Sequence, residues 1–123
     1  MPVIDVDEAP RFDAGGTHVI GLAAPSRGAS ETSAWRLTLD PGAASPPHTL
    51  DHEEIIIALE GRLEAEFGDR RESIGAGDAL IVPAGAEVVL SNTGDRAFEA
   101  IACLPAGAQA KVDGELTPPP WAV

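Results

Sequence analysis

Three residues able to do acid–base or metal chemistry fall within seven positions: His48, His52 and Glu54, in the run His48-Thr49-Leu50-Asp51-His52-Glu53-Glu54. An imidazole facing a carboxyl group can pass a proton to and from a bound molecule, because histidine titrates near neutrality and burial moves a carboxyl toward it. Two imidazoles and one carboxylate make instead the set that holds iron(II), manganese or zinc with positions left open for substrate. The segment admits both readings. His52 turned inward completes a three-ligand set; His52 solvated in a polar turn with Asp51 and Glu53 leaves His48 and Glu54 as a pair. Glu54 also has a plain structural reading as a buried carboxylate paired with Arg36 or Arg62, since a buried charge needs a partner. His48, next to Pro46 and Pro47, has one as an interior ring donating to a backbone carbonyl. His18 has no companion ligand nearby in sequence and reads as a surface residue, and Cys103 lies in an apolar run as a small hydrophobe.

The elements that must position these groups are strands. No segment carries a sustained helical stripe; apolar residues come in bursts of four to six, separated by Gly, Pro, Asn and Asp. Trp35-Arg36-Leu37-Thr38-Leu39 alternates and stops at Asp40-Pro41-Gly42. Ile55-Ile56-Ile57-Ala58-Leu59 is apolar throughout, as a strand covered on both faces would be. Residues 62–67 alternate again, 68–71 read as a hairpin loop, 72–74 as a short return strand and 75–78 as a turn. Strands at 79–82 and 87–90, a turn at 92–95 and a last apolar strand from Phe98 to Leu104 complete the series. A strand about every ten residues is the rhythm of sandwiches and barrels. Residues 22–31 read as a loop. Residues 105–120 show no period and read as a tail laid on the surface or on a partner subunit, with Trp121 after Pro118-Pro119-Pro120 suited to docking in a groove.

Composition narrows the partners. The 123 residues fit one domain, with a core barrel at about 17–105 and the tail at 106–123. Twenty acidic residues against eight Lys and Arg give a formal charge of -12, a field that repels nucleic-acid phosphates and anionic lipid headgroups. The single cysteine excludes an intrachain disulfide and suits a reducing cytoplasm. The acidic start, Met1-Pro2-Val3-Ile4-Asp5, is unlike a signal peptide, and no apolar run approaches the length of a membrane span.

Two stretches have an uncommon spacing. Gly42 is followed after five residues by His48, then by Glu54 and, six residues on, Gly61. Gly77 is followed after five residues by Pro83-Ala84-Gly85 and, six residues on, Asn92. Together they resemble the paired motifs of the cupin superfamily, G-x5-H-x-H-x3-E-x6-G and G-x5-P-x-G-x2-H-x3-N, and match eight of the ten specified positions. The resemblance implies an all-β fold, a double-stranded β-helix or jelly-roll barrel with short turns and little or no helix. In the family pattern two His and one Glu of the first motif and one His of the second bind a divalent metal inside the barrel. This chain keeps His48 and Glu54 but has Leu50 and Val88 at the other two positions.

The expectation is therefore a barrel whose interior holds His48 and Glu54, with His52 at its mouth, in a pocket otherwise formed by Trp35, Leu50, Ile56, Val88 and Leu90. Such a pocket suits a small, largely apolar organic molecule acted on by proton transfer, with no metal or a weakly bound one that residue types do not assign among iron, manganese, zinc and nickel. A metal-dependent oxygenase or isomerase using His48, His52 and Glu54 is the first alternative, and a non-catalytic ligand-binding or sensor barrel the second. Ile55, Ile57 and Leu59 would face outward, and covering them calls for a homodimer.

Overall fold

The computed structural model describes residues 1–123 and consists of twelve strands and two single 3-10 turns, Pro25–Arg27 and Pro120–Ala122. Two short hairpins show why the chain folds as it does at its ends. Strands β1 (Arg11–Ala14) and β2 (Thr17–Ala23) are joined by Gly15-Gly16, both with positive φ (58° and 86°). That two-residue loop matches the right-handed twist of the strands it joins, and paired glycines reach it without steric cost. Near the C-terminus, β11 (Ala110–Val112) and β12 (Glu115–Thr117) are joined by Asp113-Gly114 at φ 50° and 80°, the same geometry made by the Asp-Gly pair that favours it.

Six strands form the larger sheet, in the order β1-β2-β3 (Thr32–Leu39)-β10 (Phe98–Pro105)-β5 (Glu54–Glu60)-β8 (Ala79–Val82), with every pairing antiparallel. Two three-stranded sheets complete the enclosure: β12-β11-β4 (Thr49–Leu50), and β7 (Arg70–Gly75)-β6 (Arg62–Phe67)-β9 (Val89–Ser91). Alternation sets what each strand buries. On β3, Ser33, Trp35, Leu37 and Leu39 point inward; on β10, Phe98, Ala100, Ala102 and Leu104; on β5, Glu54, Ile56 and Ala58. Register places Trp35 beside Ala102, Ala102 beside Ile56 and Ile56 beside Leu80, so one inner row crosses four strands. These side chains join Leu50, Leu63, Ala65, Ile74 and Leu90 from the other sheets in one core of 21 residues.

The strands expected at 35–39, 55–59, 62–67, 79–82 and 98–104 are present, most of them extended by a residue or a few. The C-terminal segment is more regular than expected. It lies at the surface, with β12 exposed throughout, but pairs as β11 and β12 and joins the enclosure through β4, with Ala110 opposite Leu50 and Lys111 opposite Thr49. Strands of three residues are too short to show a period, so only their turn was available as a signal. Beyond them Trp121 docks into its own chain, its ring 6.1 Å from Trp35 and 6.0 Å from Phe12 between centroids. Ser33 Oγ donates to Ala122 O (2.9 Å) and Arg27 Nη2 to Trp121 O (3.0 Å), fastening this strap. No helix is long and apolar enough to cross a membrane.

Candidate active site

The two motif stretches lie side by side. Gly42 N–H donates to Asn92 O (2.8 Å), Asn92 N–H to Ala43 O (2.9 Å), and His48 and Val88 exchange backbone hydrogen bonds of 3.1 and 2.9 Å. Asn92 is buried and serves architecture: its Nδ2 donates to Leu39 O (3.0 Å) and Arg96 O (2.7 Å), while its Oδ1 accepts from Gly94 N–H. The strands so fixed surround a cavity of about 670 Å³, within the range of small-molecule sites. Its wall includes His48, Leu50, Glu54, Trp35, Ile56 and Leu90, so six of the eight residues expected at the site converge there.

Glu54 dominates the chemistry of this wall. As the first residue of β5 it alternates inward with Ile56 and Ala58, leaving 6% of its surface exposed. Its Oε1 is buried with no hydrogen-bond partner. The structural reading in which an arginine neutralises it fails, because Arg36 is paired with Glu99 (2.9 Å) and Arg62 donates to Ser73 Oγ (3.0 Å). Removal from water with no compensating charge pushes its pKa up to about 7, so much of the Glu54 population at neutral pH carries its proton. His48 Nδ1 donates to Pro46 O (3.0 Å), an assignment that leaves Nε2 as a proton acceptor on the cavity wall.

Two expected site residues lie elsewhere. His52 is half exposed, and its Nδ1 bonds Asp51 Oδ1 at 2.8 Å. Asp51 Oδ1 also accepts from Gln109 N–H (2.7 Å). The His52 bond and then the Gln109 amide hold the Asp51 carboxyl below its usual range. That local capture turns the imidazole away from the cavity, whose lining does not include it. Val88 is fully buried in the core opposite His48 but does not line the cavity.

The ligand set His48, His52 and Glu54 is thus not assembled, and no three His, Cys, Asp or Glu side chains are grouped to hold a metal ion. The two remaining family positions, Leu50 and Val88, are buried hydrocarbon. The donors present do not fit a divalent metal, which needs at least three in most open catalytic sites.

One group was missed in the sequence. His18 is half exposed, as a surface residue should be, but its ring bridges two carboxylates: Nδ1 to Asp13, across the β1–β2 pair, and Nε2 to Asp40 (3.0 Å). The Asp40 bond, then the Asp13 bond, hold the imidazole pKa above its ordinary value. Asp13 lines the cavity, and His18 occupies its carboxylate. The alternation of Asp13 and His18 around Gly15-Gly16 was the available signal.

The cupin domain family matches residues 35–103. The chain belongs to the cupin family, and its β-barrel is the cupin barrel. Among solved structures it is similar to the polyketide cyclase RemF from Streptomyces resistomycificus, at TM-score 0.75 and 21% identity over 97% of this chain and 82% of that one. It is also similar to a Cupin 2 conserved barrel domain protein from Salinispora arenicola, at TM-score 0.69 and 26% identity over 84% and 87%. The chain is also similar to endoribonuclease YbeY of Myxococcus xanthus, 33% identical over 78 residues; the match covers 63% of this chain and 26% of that protein. The chain therefore spans about a quarter of that relative, and the similarity carries no activity across.

Proposed function

We propose that this cupin binds a small, neutral, largely apolar organic molecule in its barrel and moves a proton on it. The observation that carries the reading is Glu54, a carboxyl group buried without a partner in the wall of an otherwise apolar cavity. No Lys or Arg lines that cavity, which argues against carboxylate or phosphate substrates, and the net charge of -12 opposes anions further. In the step proposed, His48 Nε2 accepts a proton from one atom of the ligand while the Glu54 carboxyl gives its proton to another. The ligand keeps its charge and leaves as a tautomer or isomer; exchange with water then returns His48 to neutral and Glu54 to its acid form. Burial supplies the tuning, since an acid with a pKa near the working pH is both present and able to transfer.

The test is deuterium uptake. A panel of neutral ketones, enols and esters is incubated with the protein in D2O and followed by proton NMR. Exchange at a carbon position in at least one compound, lost in His48→Ala and Glu54→Gln, is the expected result. Binding without exchange would make the barrel a non-catalytic binding or sensor module.

We also infer a homodimer formed through the outer face of β5 and β8. Ile57, Leu59 and Ile81 are 41%, 40% and 57% exposed, and Ile55 lies directly beside Ile81. Contiguous apolar surface of this kind supports a subunit contact. The charge supports no role with nucleic acid or membrane surfaces, and the lone Cys103 fits a cytoplasmic setting.

A further inference from the structure

The cavity wall holds two polar atoms that the protein leaves unsatisfied. Glu54 Oε1 and Trp121 Nε1 are both buried without a hydrogen-bond partner, and both residues line the cavity. Buried polar atoms in native proteins nearly always have a partner, so two exceptions in one wall point to a group that is supplied from outside. Three other polar side chains there already have partners: Asp13 is held by His18, Ser45 Oγ accepts from the N–H of Leu90 (2.9 Å), and His48 Nδ1 donates to Pro46 O (3.0 Å). Phe12 and Trp35 stand beside the Trp121 ring, in edge and tilted contact with it, and line the same cavity as Glu54, an apolar aromatic surface against which a flat ring can pack.

Resting on the ligand-binding reading above, we propose that the ligand is a neutral aryl ketone whose ring packs against Phe12, Trp35 and Trp121 and whose carbonyl oxygen accepts hydrogen bonds from the Glu54 carboxyl and Trp121 Nε1. A carbonyl oxygen has two lone pairs and takes both donors. An indole N–H has nothing to offer an ammonium group, and a carboxylate ligand would stand against Glu54 with no cation nearby. Burial supports the assignment, since it keeps Glu54 in the form that donates. Trp121 sits on the C-terminal strap, so the chain's last turn becomes part of the specificity of the barrel.

The two tryptophans of the chain both line the cavity, and their indole N–H signals in a nitrogen-15 NMR spectrum read occupancy directly. The probes are four compounds of one shape: indane, 1-indanone, 1-aminoindane and indane-1-carboxylate. The protein is expected to bind 1-indanone about tenfold tighter than indane, the gain of satisfied buried donors, with the Trp121 signal moving most. Glu54→Gln should keep that preference because its amide N–H still donates. Glu54→Leu should erase it to within about twofold. Trp121→Phe, which keeps a ring and removes the N–H, should weaken the ketone several-fold and leave indane nearly unchanged. Equal binding of indane and 1-indanone would overturn the ketone assignment while leaving the apolar cavity reading intact. Tightest binding of 1-aminoindane, abolished in Glu54→Gln, would overturn it in favour of a cation. If none of the four moves either indole signal, the ligand-binding reading itself fails.

Discussion

His48 and Val88 face each other across a β-bridge, each backbone N–H bonded to the other's carbonyl. The bridge joins the two motif segments through main chain alone, with no demand on the His48 ring. His48→Ala should therefore keep the fold. It loses one hydrogen bond to Pro46 O, for which a change of about 1 kcal/mol or less is expected in chemical denaturation. Proton exchange on a bound ligand should fall by a hundredfold or more. A variant that unfolds, or that exchanges as fast as the parent, would contradict the role given to His48.

Glu54 sets a pH dependence of stability. Its folded-state pKa lies above the unfolded value of 4.5, at about 7, so the native state binds the extra proton. The stability tied to this group is full below pH 4.5, declines as the pH rises toward 7, and is lost above it. A rise of that size corresponds to roughly 3 kcal/mol. Glu54→Gln should match the parent's thermal midpoint near pH 4.5 and exceed it at pH 8. Equal midpoints at pH 8 would mean that the native carboxyl is not held in its neutral form.

The strap is held by few contacts, which makes it separable. Ser33→Ala removes the buried hydrogen bond to Ala122 O and should cost about 1 kcal/mol. Trp121→Ala also removes ring packing on Trp35 and Phe12, for which roughly 2–4 kcal/mol is expected. Hydrogen exchange of the Trp121, Ala122 and Val123 amides should rise in both variants while the amides of β3 and β10 stay protected.

The outer face of β5 and β8 gives a prediction about assembly. Sedimentation of the parent protein should report twice the chain mass, and Ile57→Lys with Ile81→Glu should report the chain mass with an unchanged circular dichroism spectrum. A monomeric parent would leave Ile57 and Ile81 exposed without a cover.

Much of this architecture is legible before any coordinates. Gly42, Gly61, Gly77, Pro83, Gly85 and Asn92 stand where backbone geometry requires them, and strand alternation places Glu54, Ile56 and Trp35 inward. The position of His52 is not legible, because it depends on Asp51 reaching both the imidazole and Gln109, a residue 58 positions away. Nor is the part the C-terminal segment plays in the cavity, since β11 and β12 are three residues each and only the Asp113-Gly114 turn marks them. The solitude of Glu54 could not be read either. Arg36 and Arg62 were both plausible partners by type, and only register shows that each faces another residue.

The most direct test of the account is the titration of Glu54 itself. Carbon-13 NMR of the glutamate side-chain carboxyls, followed from pH 4 to 9, assigns the Glu54 signal by its absence in Glu54→Gln. A midpoint of about 7 is the predicted result, and it would establish a neutral acid in the barrel wall. A midpoint near the ordinary 4.5 would contradict it, since a carboxylate ionised at neutral pH needs a partner that this cavity wall does not provide.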